Sequence, residues 1–218
     1  LMILSLSCQK DAAEDTVGPQ RPDLVCPGDL GCEDADGPLQ AGAAAVSITP
    51  QCFETWSDLD GDRRYKVSKD EYEDCGCDRL CAGDPGYPGP DEGEGDGSFL
   101  AMWMGGFSVG HPAQGVHDEL WARSLVMERG STRIALVSVD LVGFFNEDVT
   151  KVREALEAED LQVDHLLISA THTHEGPDTM GLWGKAIGKS GYQEFYLEQV
   201  REGITESVRQ AVGELRPV

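Results

Sequence analysis

Apolar and polar positions in this chain fall into two regimes that meet near residue 97. Downstream, the patterns are regular. Leu120–Glu128 reads as a strand, Arg129-Gly130-Ser131 as a turn, and Arg133–Asp140 as a nearly continuous apolar run. That is a hairpin whose second strand has the look of a buried one. Val149, Val152 and Leu156 recur at helical spacing within Glu147–Glu159, and Asp148 sits in the first turn, where a helix dipole favours an acid. Val163–Ala170 reads as a second buried strand. Gln193–Leu215 carries Phe195, Val200, Ile204, Val208, Val212 and Leu215 along one helical stripe. Strand, helix, strand, helix in that order predicts parallel pairing. Upstream, only Ala45–Ile48 reads as a strand.

The expected fold class is α/β, a mixed or mostly parallel sheet flanked by helices. A disordered linker precedes it and a disulfide-rich acidic insert interrupts it. Residues 9–42 are rich in Asp, Gly and Pro without periodicity and read as the linker. Residues 43–218 then form the folded part, with the insert at 52–97. The end of the insert, Asp84–Gly97, has too many Pro and Gly for a helix or a central strand. No internal repeat is evident.

Charge follows the same division. The 218 residues carry a net charge of −23, and residues 1–96 alone hold 22 acids against 7 bases. Such a surface repels phosphate backbones, which excludes nucleic acid as a partner. No apolar run reaches the roughly 18 residues of a membrane-spanning helix. The opening Leu1–Cys8 is an apolar run ending in Ser-Cys, the pattern at the end of a bacterial lipoprotein signal. Residues 1–8 are thus expected to be a signal remnant with Cys8 as the lipidated residue. The chain would then be extracytoplasmic, secreted or held at a membrane surface by its anchor. An ordinary secretory segment is the alternative. Six further cysteines (Cys26, Cys32, Cys52, Cys75, Cys77 and Cys81) suit disulfides in an oxidising compartment. A zinc cluster at Cys75, Cys77 and Cys81 is the rival, disfavoured by its spacing and by the absence of a nearby His.

All five histidines lie between His111 and His174. His172 and His174 follow the Val163–Ala170 strand directly, with Glu175 and Asp178 beside them. Sites in open α/β sheets gather at the carboxyl ends of strands, and two imidazoles two residues apart reach one metal or divide metal binding from proton transfer. Exposed loop histidines are the bland reading. Asp140 ends the preceding strand the same way and is expected as a catalytic group, a partner of His172 or a further ligand, with a plain turn aspartate as the alternative. His117 and Arg123, in and just after Gly115–Asp118, are candidate substrate contacts. Asp58, Asp60 and Asp62 resemble the start of a calcium loop. Arg63 replaces the usual Gly and Lys69 the usual Glu, so a two-residue insertion is needed to bring Glu71 to the last ligand position. A solvated acidic turn is the alternative. Gly106-Phe107-Ser108-Val109-Gly110 matches a nucleophile-elbow pattern, which needs a strand before it and a helix after it.

At these residues the chain resembles the neutral/alkaline non-lysosomal ceramidase family. The resemblance rests on Ala41–Pro50, Gly115-Val116-His117 with Arg123, Ala135–Asp140 and, most specifically, Ser169–Pro177. It implies hydrolysis of the amide of ceramide-like N-acylsphingosine lipids with one zinc ion, whose bound water attacks the carbonyl. It makes His172 a zinc ligand and His174 its neighbour, touching substrate or moving protons. The family's remaining ligands come from far downstream, so the chain is expected to be an N-terminal part of such an enzyme, with an inactive fragment lacking those ligands as an alternative. Glu175 and the acidic insert depart from the family pattern. The competing readings are a calcium-dependent extracellular binding module built on the insert, and a serine hydrolase using Ser108.

Overall fold

A computed structural model describes residues 37–218. The expected anchor Cys8, most of the linker, and Cys26 and Cys32 lie outside the described residues. Five strands form one sheet in the order β6-β5-β4-β1-β7. They are β1 (Gln40–Ser47), β4 (Trp121–Arg129), β5 (Thr132–Val139), β6 (His165–Ala170) and β7 (Arg216–Pro217). Short β2 (Trp56–Ser57) and β3 (Glu71–Tyr72) pair separately within the insert. β1 begins at Gln40, three residues before the folded part was expected to start.

The expected hairpin is present. β4 and β5 run antiparallel with Arg129 opposite Thr132, and Gly130 occupies positive φ (59°), the glycine conformation of a two-residue type II′ turn. β5 and β6 are parallel, with Val139 opposite Ala170. Their crossover is α1 (Asn146–Ala158), and α2 (Glu194–Gly213) follows β6. The sheet is therefore mixed.

Strand alternation decides what lies beneath the helices. Ala122, Val126, Ala135, Val137 and Val139 point to one face and are buried with Val152 and Leu156 of α1 and Val200, Ile204, Val208 and Ala211 of α2. The helices also meet through Arg201, which donates to the buried Asp148 at 2.7 Å and to Glu194 at 2.7 Å. Asp148 therefore bridges two helices as well as facing a helix N-terminus. The opposite face carries Arg123, Leu125, Leu136, Leu167 and Ser169, with Leu125 40% and Leu167 61% exposed. The apolar runs of β5 and β6 suggested strands covered on both faces. Among the described residues, helices cover only one.

The insert is held by Cys52–Cys77 and Cys75–Cys81, so disulfides rather than a thiolate metal cluster brace it. Glu54 is fully buried beneath it and accepts from the backbone N–H of Gly76 (3.1 Å) and Leu100 (2.8 Å). Burial raises the pKa of this carboxyl. Among the described residues, no helix is long and apolar enough to cross a membrane.

Candidate functional site at the strand ends

β6 ends at Ala170, and the chain leaves the sheet through His172 in left-handed backbone (φ 62°). A non-glycine residue in that region is strained and is held there by its surroundings. One such restraint is visible: the His172 ring Nδ1 lies 2.6 Å from the Val142 carbonyl oxygen. A carbonyl only accepts, so Nδ1 carries a proton, and in the neutral ring Nε2 keeps its lone pair. His172 is exposed, so that lone pair is available to a ligand or an ion.

His174 stands beside it, its ring 4.9 Å from that of His172 and nearly perpendicular (88°). Its Nδ1 is buried without a hydrogen-bond partner. Gly106 presses against that edge; a Cβ at Gly106 would lie 1.7 Å from Nδ1. Phe107 covers the ring at 5.1 Å between centroids. The 104–111 loop that carries both is pinned by Gly105 N–H to the Gly176 carbonyl (2.8 Å) and by a bridge between Met104 and Pro177. On the far side, buried Asp178 accepts from the N–H groups of Met180, Trp183 and Gly191, and Thr179 donates to the Gly143 carbonyl. The strand-end histidines are thus held by the Val142 carbonyl at His172 and by Gly106 and Phe107 of the 104–111 loop at His174.

The other expected residues are placed differently. Asp140 does share the sheet edge with Thr171 and His172, but its carboxylate turns toward β4. It accepts from Trp121 N–H (3.0 Å) and Arg123 (2.7 Å), and the partner of His172 is the Val142 carbonyl instead. Arg123 lies on the open face of the sheet with Asp140 as its ion partner. His117 is almost fully exposed and pairs with Asp118, which raises its pKa. Asp140 and His117 line a separate cavity of about 500 Å³, together with Met102, Met104, Thr173 and Glu175. Neither His172 nor His174 is in its wall.

No strand enters or helix leaves the Gly106–Gly110 segment, so the nucleophile elbow is not formed. Ser108 Oγ does lie 2.9 Å from His111 Nε2, and Arg64 donates to it at 2.8 Å.

In the insert, Asp58, Asp60 and Asp70 bring carboxylate oxygens within 4.8 Å of one another. Glu71, the expected last ligand, is exposed on β3 opposite Ser57, and Asp70 stands in its place. Asp62 is outside the triad and pairs with Lys66. Lys66 and Lys69 both reach Asp60 and hold its carboxyl well below the usual carboxylate range. Arg63 adopts positive φ (61°), the conformation that the usual Gly supplies in a calcium loop.

Residues 95–218, more than half of the chain, match the family described as neutral/alkaline non-lysosomal ceramidase, N-terminal. The chain belongs to this family. The neutral ceramidase of Pseudomonas aeruginosa is 30% identical over 120 residues, which cover 52% of this chain and 18% of that protein. The ceramidase-family chain described here therefore spans less than a fifth of that curated relative. A crystal structure of the Pseudomonas aeruginosa neutral ceramidase superposes with a TM-score of 0.52 at 22% identity, over 85% of this chain and 23% of that one. That likeness concerns the fold. A solved ceramidase complexed with C2 gives a TM-score of 0.48 at 20% identity, covering 84% and 22%.

The sequence pattern predicts His172 and His174 side by side after a strand, and the structure has them so. That pattern misses Gly106, Phe107 and Val142. Val142 acts through its backbone carbonyl, which leaves no trace in residue identity.

Proposed function

We propose that the chain is part of a zinc-dependent hydrolase that cleaves the amide of ceramide-like N-acylsphingosine lipids. The observation that carries this reading is the His172 ring, whose Nδ1–H is committed to the Val142 carbonyl while Nε2 stays free at an exposed strand end. Metal-bound histidines characteristically have their other ring nitrogen fixed in this way. His172 Nε2 would hold the zinc. When bound, zinc supplies a Lewis acid at the amide carbonyl and an activated water.

His174 contributes its position. Gly106 blocks its Nδ1 edge, so substrate contact or proton movement falls to the Nε2 edge. Among the described residues, no third His, Cys, Asp or Glu joins this pair as a ligand set, so a four-ligand site draws on further residues. The disulfides of the insert suit an extracytoplasmic protein, and a lipid anchor at Cys8 would bring it to the membrane that holds its substrate.

The test is zinc content and ceramide hydrolysis of the native protein and of His172→Ala. Stoichiometric zinc and activity, both lost in the variant, are expected. A native protein without zinc, whose activity survives the substitution, sinks the reading.

The acidic triad favours a second, compatible reading in which the insert binds calcium. An ion there would have to displace Lys66 and Lys69 from Asp60. Calcium should then raise the melting temperature, and Asp60→Ala should abolish the rise. No response to calcium or chelator removes this reading.

A further inference from the structure

Phe107 combines three properties that packing alone does not explain. It is a large aromatic side chain left 83% exposed. Its backbone is left-handed (φ 55°), a conformation costly for a residue with a Cβ. Its ring leans on His174 at 5.1 Å and an interplanar angle of 52°. Ordinary surface positions tolerate an exposed Phe, and tight turns tolerate positive φ, usually with Gly. Both together, at a loop whose neighbours Gly105 and Gly106 are buried, mean that the loop is built to hold this ring where it is.

The anchoring is specific. Gly105 N–H reaches the Gly176 carbonyl, Met104 N–H reaches the His111 carbonyl at 2.9 Å, and Gly110 N–H reaches the Gly184 carbonyl at 2.8 Å. Gly106 fits against His174 only because it lacks a side chain. The next residue is thereby projected outward over the imidazole, with one part of the ring against His174 and the rest in solvent.

We propose that Phe107 is a specificity-determining residue whose exposed ring forms an apolar wall beside His174, against which an aliphatic chain of the substrate lies. This rests on the amide-hydrolase reading above and assigns one contact within it. An apolar chain beside the scissile amide needs a rigid apolar surface within reach of the reacting group, and an aromatic ring with few rotatable bonds supplies it at low ordering cost. The contact made by Phe107 grows with chain length, so the residue discriminates between short and long acyl chains.

The experiment compares native protein, Phe107→Ala and Phe107→Leu on N-acylsphingosines with a two-carbon and a sixteen-carbon acyl chain, reading kcat/KM, zinc content and melting temperature. Phe107→Gly, which suits the left-handed backbone, serves if the alanine variant folds poorly. Phe107→Ala is expected to lose about 10-fold or more on the long chain relative to the short one, and Phe107→Leu to recover part of it. Zinc content should stay unchanged. Equal losses on both substrates, or a fall in melting temperature without any change in chain preference, overturn the inference and leave the amide-hydrolase reading standing. A native protein that cleaves neither substrate overturns that reading and this inference with it.

Discussion

At His172 the backbone and the ring are constrained by the same neighbourhood. The left-handed φ turns the chain out of β6, and the Val142 carbonyl selects the ring tautomer. His174 depends on an absence instead, since a methyl group at Gly106 would overlap its Nδ1. Gly106→Ala should therefore displace His174 while leaving His172 in place. Gly106 also has φ 117°, so alanine is strained there in its own right. We expect a loss of stability of about 1–3 kcal/mol and a fall of about 100-fold in turnover from misplacement of a reacting group. Denaturant unfolding and single-turnover kinetics check the two separately; unchanged turnover would mean that His174 has no part in the chemistry. The histidines themselves were legible because His-x-His after an apolar strand is a compact side-chain signal. Their supports were not, because a carbonyl and a missing Cβ carry no residue-type signature.

At the scale of elements, the hairpin, both helices and the parallel β5–β6 pair were all readable from period and turn residues. The faces were not. Leu166-Leu167-Ile168 is continuously apolar, yet Leu166 and Ile168 pack beneath the helices while Leu167 is 61% exposed. Hydrophobicity gives the period of a strand only when its outward positions are polar, and here they are not. The alternation makes a direct prediction. Val137→Ala, which empties space between sheet and helices, should cost about 1–3 kcal/mol, whereas Leu167→Ala should stay within about 1 kcal/mol. Equal costs in chemical denaturation would show that the open face is covered in solution. The acidic group of the insert differs from its expected membership for a related reason. Spacing points to Glu71, but Glu71 is exposed on β3 opposite Ser57, and Asp70, just before the strand, is the buried neighbour. A one-residue shift in a strand exchanges its faces.

Across the whole molecule, the division between a cysteine-bearing acidic part and a histidine-bearing sheet becomes a division of restraint. The insert leans on disulfides and on carboxylates that accept backbone N–H groups, while the sheet leans on an apolar core. Cys52–Cys77 closes a loop with a sequence separation of 25, for which chain-entropy arguments give about 3.5 kcal/mol. Reducing agent should accordingly speed amide exchange in residues 52–97 well before it affects β4 or β5, and uniform protection loss would contradict this division.

The charge of −23 sets a second whole-molecule behaviour, in which two electrostatic effects oppose each other as pH falls. Protonating ordinary carboxylates relieves repulsion and stabilises the compact state. Carboxylates with partners act the other way. The Tyr192 hydroxyl and Arg201 lower the Glu194 pKa to about 2, and Arg209 lowers that of Glu159. A group whose folded pKa lies below its unfolded value stabilises the fold above the unfolded pKa, and that contribution disappears as pH falls through the folded one. For Glu194 the window runs from its reference value of 4.5 down to about 2. Glu54 has the opposite sign, because its raised pKa favours the folded state as its carboxyl takes up a proton. Relief of repulsion and protonation of Glu54 therefore come first on acidification, and loss of the Glu194 and Glu159 pairs comes last. The melting temperature should pass through a maximum on the acid side of neutrality, near pH 5, and fall toward pH 2. Added salt should raise it at pH 7 more than near the maximum. Glu194→Gln should flatten the descent between about pH 4 and 2 without changing the rise. A melting temperature that climbs steadily to pH 2 would show that repulsion outweighs these pairs throughout, and that the links from Arg201 and Arg209 add little to the packing of α1 on α2.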